Sequence, residues 1–251
     1  LSPNQREYLS IVHESGESLL TLINDVLDFS KIEAGRLELD RAPFDIRETL
    51  GDTMKSLAVR ASRASLELAF EVSRDVPQML IGDYARLRQV VVNLIGNAIK
   101  FTEKGSVYLK AFMLEQANEF QKVLVMIEDT GVGIKEEYLE NIFDKFTQED
   151  ETVVRKFGGT GLGMSITKQL IELMGGTISV FSKKNVGTTI SLTFNFRIGT
   201  SRVFEKKKTI KNDTANINGK RILLVEDNNL NRLLAYTILT EYGAIILEAE
   251  N

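Results

Sequence analysis

Cysteine is missing from this 251-residue chain, and histidine occurs once. The first absence excludes disulfides and thiolate metal sites and fits a reducing compartment. The second leaves a single imidazole, His13, as a candidate for proton or phosphoryl chemistry. No apolar run approaches the roughly 18 residues that span a bilayer, and no secretory leader is recognisable. Net charge is only −4, with a pI near 5.3. Nothing therefore pulls the whole chain toward nucleic acid or an anionic membrane, and neither is expected as a partner. The chain opens on Leu1 rather than Met, which points to a piece of a longer protein.

What is present is ordinary for a globular protein: 43% hydrophobic and 26% charged residues. At roughly 150 residues per domain, the length allows one full domain with an addition, or two smaller ones. "SPNQ" opens a helix well, with Ser2 as N-cap, Pro3 in the first turn and Gln5 closing a capping box. Behind it Tyr8, Val12, Ser15, Leu19, Leu22, Val26 and Phe29 alternate spacings of four and three. That heptad seam predicts a long helix in a coiled coil or bundle, capped near Gly35. Helices follow over 46–61, 83–101 and 161–174. Strands are expected in "LELAFEV", "SVYLKAFML", "VLVMIED", "TISVF" and "TTISLTFNF". Helices alternating with antiparallel strands suggest an α+β chain built as a two-layer α/β sandwich. Residues 144–163 are polar and glycine-rich, as a lid would be. The stretch 197–219 reads as a linker. Beyond it "KRILLVEDNN", a helix over 230–241 and a strand over 244–248 begin a βαβ unit.

Three segments carry the chemistry. On the helix "RLRQVVVNLIGNAIKFT", Leu87, Val91, Leu94, Ala98 and Phe101 form one apolar stripe. Asn93, Asn97 and Lys100 form another, rotated roughly 110° from it. An Asn carbonyl can supply an oxygen to Mg²⁺, and a lysine one turn on can neutralise phosphate. By itself this stripe fits a solvated helix face equally well. In "VLVMIEDTGVGI" an apolar strand delivers Asp129, followed by Gly131 and Gly133. A buried carboxylate needs a donor such as the exocyclic amine of adenine, and glycines allow a flat ring to come close. Alone, this is as well read as a glycine turn. In "RKFGGTGLGMS" glycines crowd a helix start, where backbone N–H groups can cradle phosphate. The spacing matches neither the P-loop nor the dinucleotide fingerprint.

Together and in this order, the segments resemble the GHKL (Bergerat) ATP-binding domain of histidine kinases. "NLIGNAIKFT" is similar to the N box, "DTGVGI" to the first glycine box, "IFDKFTQ" to the F box and "GGTGLGM" to the second glycine box. "GTTISLTF" resembles the closing strand that carries a nucleotide-contacting threonine. The resemblance implies ATP and Mg²⁺ as cofactors. It implies Asn97 on the metal with Asn93 helping, Lys100 on phosphate and Asp129 on the adenine amine, with Gly131 and Gly133 allowing the approach. It places Arg155, Gly159, Thr160, Gly161, Leu162 and Gly163 in the ATP lid and Thr189 near the adenine. The C-terminal piece resembles the start of a response-regulator receiver domain, with Glu226 and Asp227 as its acidic Mg²⁺ pair. The implied organisation is a dimerisation helix over 1–40, the ATP-binding domain over 41–198, a linker over 199–219 and a truncated receiver over 220–251. The implied activity is transfer of the ATP γ-phosphate to a protein histidine in two-component signalling. The implied partners are a second copy through the helical bundle and a receiver domain. The expected location is cytoplasmic, with inner-membrane anchorage of a longer protein left open. The other readings are an ATP-binding module without transfer of its own, or a different GHKL ATPase such as a chaperone or topoisomerase clamp. The heptad helix and the receiver-like end speak against the last.

His13 does not fit the acceptor role. The family's acceptor box has the form S-H-E-[LI]-R-T-P-L, whereas His13 is followed by "ESGESLL". It lies on the helix that runs into "LDFSKIEAG", which resembles the second dimerisation helix. A solvated histidine on the polar side of the seam is the better account. The acceptor is then expected before Leu1.

Overall fold

The computed structural model describes residues 2–117, 120–144, 162–199, 217–227 and 229–249. The chain divides into two units, Leu1–Thr200 and Ser201–Asn251.

The first unit opens with α1 (Pro3–Glu33), 31 residues long. The Ser2 hydroxyl accepts from the Gln5 N–H while the Gln5 side chain accepts from the Ser2 N–H, so the capping box forms as the sequence predicts. Gly35, at φ +61°, turns the chain out of the helix. The seam behaves unlike an ordinary amphipathic stripe. Tyr8 and Val12 are both 66% exposed, and Leu19, Leu22 and Val26 are exposed as well. Only at the C-terminal end do Phe29 and Ile32 pack against the core.

The elements that follow are β1 (Ala42–Asp45), α2 (Ile46–Arg63), β2 (Glu67–Val72), β3 (Met79–Gly82) and α3 (Tyr84–Phe101). Next come β4 (Ser106–Ala117), β5 (Phe120–Asp129), the short α4 (Glu136–Leu139), α5 (Gly163–Leu173), β6 (Thr177–Lys183) and β7 (Gly187–Ile198). Seven strands form one sheet in the order β1-β3-β7-β5-β4-β2, with β6 also paired to β7. Along β5 every second residue from Gln121 to Ile127 is buried, the period-two signature of a sheet with one covered face. That face meets α2, α3 and α5 in a core that includes Leu50, Leu94, Ile127, Ile171, Leu192 and Phe194. The other face mixes polar and apolar residues: Lys110 meets Glu128 at 2.6 Å, while Leu124, Met126 and the exposed Phe181 share the same side. The two-layer α/β sandwich is therefore as expected.

Three details depart from the expectation. Not every strand is antiparallel: β2 runs parallel to β4. The connection between them passes through β3 and α3, long enough for the crossover that a parallel pair needs. The four-residue strands β1 and β3 are additional, too short to announce a period. Pro43 even argues against a strand, but β1 lies at the sheet edge, where a missing N–H costs no ladder bond. The four-residue helix α4 is the third addition.

The second unit contains β8 (Arg221–Val225), α6 (Asn229–Glu241) and β9 (Ile245–Ala249). The two strands pair in parallel, so the expected βαβ start forms. Leu223, Val225, Leu233, Ile245 and Leu247 are exposed in it. No helix among the described residues is long and apolar enough to cross a membrane.

Candidate functional site

Helix α3 sets the site's frame. The Asp83 carboxylate caps it by accepting from the Arg86 N–H, and the same side chain accepts from the Asp40 N–H. Its apolar stripe is almost fully covered: Leu87, Val90, Val91, Leu94 and Ala98 are buried, and Leu94 is 1% exposed. This fixes the rotation of the helix and so the direction of its polar stripe. The stripe starts further upstream than the sequence reading placed it. Arg86 and Gln89 both reach Asp28 of α1, at 2.9 and 2.8 Å, and Arg86 also donates to Gln89. One turn on, the Asn93 amide donates to the Gly163 carbonyl at 2.9 Å and to the Thr167 hydroxyl at 2.7 Å. Both its protons hold α3 to the start of α5, and only its oxygen is left for a metal. Gly163 is needed for this contact, since an added Cβ would lie 2.9 Å from the Asn93 Oδ1. Asn97 differs. Among the described residues its nitrogen makes one long contact, 3.6 Å to the Met164 sulfur, and its carbonyl oxygen accepts no hydrogen bond. Lys100, the last of the stripe, is partly buried, which lowers its pKa. Its ammonium sits 5.0 Å from the centre of the Phe101 ring.

Asp129 ends β5 on the helix-facing side, in register with Val107 of β4 and Thr188 of β7. Burial raises its carboxyl pKa, and backbone N–H donors from Gly131 and Thr188 partly oppose the shift. The Gly131 N–H lies 2.9 Å from Oδ1. Gly131 and Gly133 are expected to let a ring come close, but what crowds them here is the protein itself. A Cβ on Gly131 would meet the Phe101 carbonyl at 2.5 Å, and one on Gly133, at φ +61°, would overlap the Lys183 carbonyl. The glycines are required by backbone packed against backbone at the end of the sheet.

The threonine assignment needs correction. Thr189 is paired with Glu128 and Phe181, so its side chain is on the outer face, away from Asp129. Thr188 shares Asp129's rung and face and is largely buried. A one-residue slip in a strand flips the side chain across the sheet. The signal was in the sequence: Thr188 has the parity of Ile190, Leu192, Phe194 and Phe196, all buried. Ser182 also escaped the sequence reading. It stands on the same rung of β6 and touches Thr188.

Leu162, before the first turn of α5, is buried. Arg155, Gly159, Thr160, Gly161 and most of the expected lid lie outside the described residues. His13 falls within α1, next to the exposed Val12. Glu226 and Asp227 follow β8 directly, and no third carboxylate or imidazole joins them in a metal-binding group among the described residues.

The arrangement thus sets carboxamides and an amine along one helix and a half-buried carboxylate at a sheet end. Comparison with known proteins agrees with it. Residues 82–198 match the family described as histidine kinase-, DNA gyrase B- and HSP90-like ATPase. Residues 1–35 match the His Kinase A (phospho-acceptor) domain. The chain is 40% identical over 241 residues to the signal transduction histidine-protein kinase BarA of Escherichia coli (strain K12), covering 96% of this chain and 26% of that protein. It is 44% identical over 195 residues to the sensor histidine kinase GacS of Pseudomonas protegens, covering 78% of this chain and 21% of that one. It spans about a quarter of the length of these curated relatives. Among solved structures, full-length ShkA in complex with AMPPNP superposes with a TM-score of 0.67 at 30% identity, over 99% of this chain and 49% of that one.

Proposed function

The chain belongs to the histidine kinases and carries their ATP-binding catalytic domain, and from that premise we propose that it binds Mg-ATP between α3 and the Asp129 end of the sheet. The observation that carries the reading is the half-buried Asp129 carboxylate at the sheet end, which has acceptor capacity beyond the backbone N–H of Gly131 and suits a further donor such as an amine. In this reading Asp129 accepts from the exocyclic amine of adenine. Lys100 faces phosphate oxygens, where its lowered pKa is restored by the anion it meets. The carbonyl oxygen of Asn97 fits a hard cation, as does the oxygen that remains on Asn93. Mg²⁺, when bound there, would neutralise charge on the phosphates. The N-terminus of α5, held in place by Asn93, would present its first-turn N–H groups to the phosphate end.

The γ-phosphoryl group would pass to a histidine on a helix that pairs with α1. The exposed seam of α1 would form a bundle with a second copy of the chain. The second unit would be the opening of a receiver domain, with Glu226 and Asp227 as part of its metal site. The catalytic part would then work in the cytoplasm.

Incubation with γ-labelled ATP tests the transfer. The expected result is no label on this chain alone, and label on an added peptide that carries an S-H-E-[LI]-R-T-P-L helix. Label at His13 would overturn the reading of that residue. No nucleotide binding at all would overturn the ATP site.

A further inference from the structure

Ser182, Thr188 and Asp129 occupy one rung across β6, β7 and β5, all on the helix-facing side. Their hydrogen bonds fix the direction of each hydroxyl proton. The Ser182 Oγ lies 2.8 Å from the Ile134 N–H, 2.9 Å from the Gly187 carbonyl and 2.8 Å from the Thr188 hydroxyl. A serine hydroxyl has one proton and two lone pairs. The Ile134 N–H can only donate, so it takes one lone pair. The Gly187 carbonyl can only accept, so it takes the proton. The contact with Thr188 then has one polarity left: Thr188 donates to Ser182. The Thr188 proton is spent, and its oxygen faces the site as an acceptor. Asp129, on the next strand, is an acceptor too.

We propose that Ser182 is a positioning residue for nucleotide selectivity: it orients the Thr188 hydroxyl so that the Asp129 end of the site presents acceptors only. A ligand seated there must donate. A purine with an exocyclic amine does so, with two N–H protons on one nitrogen. A purine with a carbonyl at that position brings lone pairs against lone pairs and is rejected. The inference rests on the ATP reading above and deepens it, because Ser182 itself need not touch the nucleotide. Without Ser182, the Thr188 proton loses its acceptor and can turn into the site, where it would serve a carbonyl.

The test is calorimetric titration of the full chain with Mg-ATP and Mg-ITP, whose base has a carbonyl in place of the amine. Wild type is expected to prefer ATP strongly. In Ser182→Ala the preference should fall about tenfold, the scale of one hydrogen bond changing sense, mainly through tighter ITP binding. Ser182→Thr keeps a hydroxyl and should restore the wild-type preference. A purely structural role would weaken both nucleotides alike, so an unchanged ratio in Ser182→Ala overturns the proposal. Should Ser182→Ala not fold, Thr188→Val decides. It removes the acceptor while keeping the shape, and should weaken ATP without weakening ITP. Unchanged ATP affinity there overturns the proposal. Wild type that binds neither nucleotide removes the ATP reading itself, whereas preference for ATP with an unresponsive ratio removes only the hydroxyl relay.

Discussion

Helices α1 and α3 carry the same kind of code and meet opposite fates. Each has apolar residues at spacings of three and four, and each has a polar stripe beside them. In α3 the apolar stripe is sealed beneath the sheet, with Leu94 at 1% exposure. In α1 the seam lies open over most of its length, with Val12 at 66%. Periodicity states which face wants cover and does not state where the cover comes from. For α3 it comes from the chain's own strands. For α1, among the described residues, Tyr8, Val12, Leu19, Leu22 and Val26 stay exposed while Phe29 and Ile32 reach the core. The two helices meet where Asp28 of α1 pairs with Arg86 and Gln89 of α3.

Substitutions can break this contrast, and the largest effect is expected in the sealed stripe. Leu94→Ala should cost about 3 kcal/mol through lost burial and a residual cavity. On a unit of this size that is a drop of about 10 °C in the melting temperature, readable by calorimetry. On α3's other stripe, Asn97→Ala should leave melting almost unchanged but weaken Mg-ATP by roughly a hundredfold, the scale of a lost charge-assisted contact. Unaltered nucleotide affinity in that variant would count against the site. At the joint, Asp28→Ala removes the carboxylate partner of a partly buried guanidinium, leaving it Gln89, and should cost about 1–2 kcal/mol. Hydrogen exchange should then quicken at the C-terminal end of α1 while the centre of α3 stays protected. The smallest effect on the fold is expected on the open seam. Leu19→Ala should change monomer stability by no more than about 0.5 kcal/mol. It should show instead as weaker self-association in analytical ultracentrifugation. A large loss of monomer stability there would mean that the seam is covered within one chain after all.

Most of this architecture was legible in the residues. The capping box, the long helix, the stripes of α3 and the β4–β5 pairing all follow from local pattern, because each depends on neighbours close in sequence. What escaped depends on distant partners. β1 and β3 become strands only because β7 and each other supply hydrogen bonds. Asp28 looked like one more charge on a solvated helix until Arg86, 58 positions away, came beside it. Asn93 and Asn97 were indistinguishable in type and stripe, yet one ties two helices together while the other makes only a long contact to the Met164 sulfur among the described residues. Thr189 was a different kind of miss. The alternation of β7 already set Thr188 among the inward-facing residues.

The glycines at the end of the sheet have a consequence for redesign. An added Cβ would overlap the Lys183 carbonyl at Gly133 and the Asp129 carbonyl at Gly187, and both positions have positive φ. The turns at this end of the sheet are thus closed to side-chain variation at two positions. On the nucleotide reading proposed above, a search for altered base preference has little to gain from randomising those turns. It would turn instead to the side chains on the rung itself, at 129, 182 and 188.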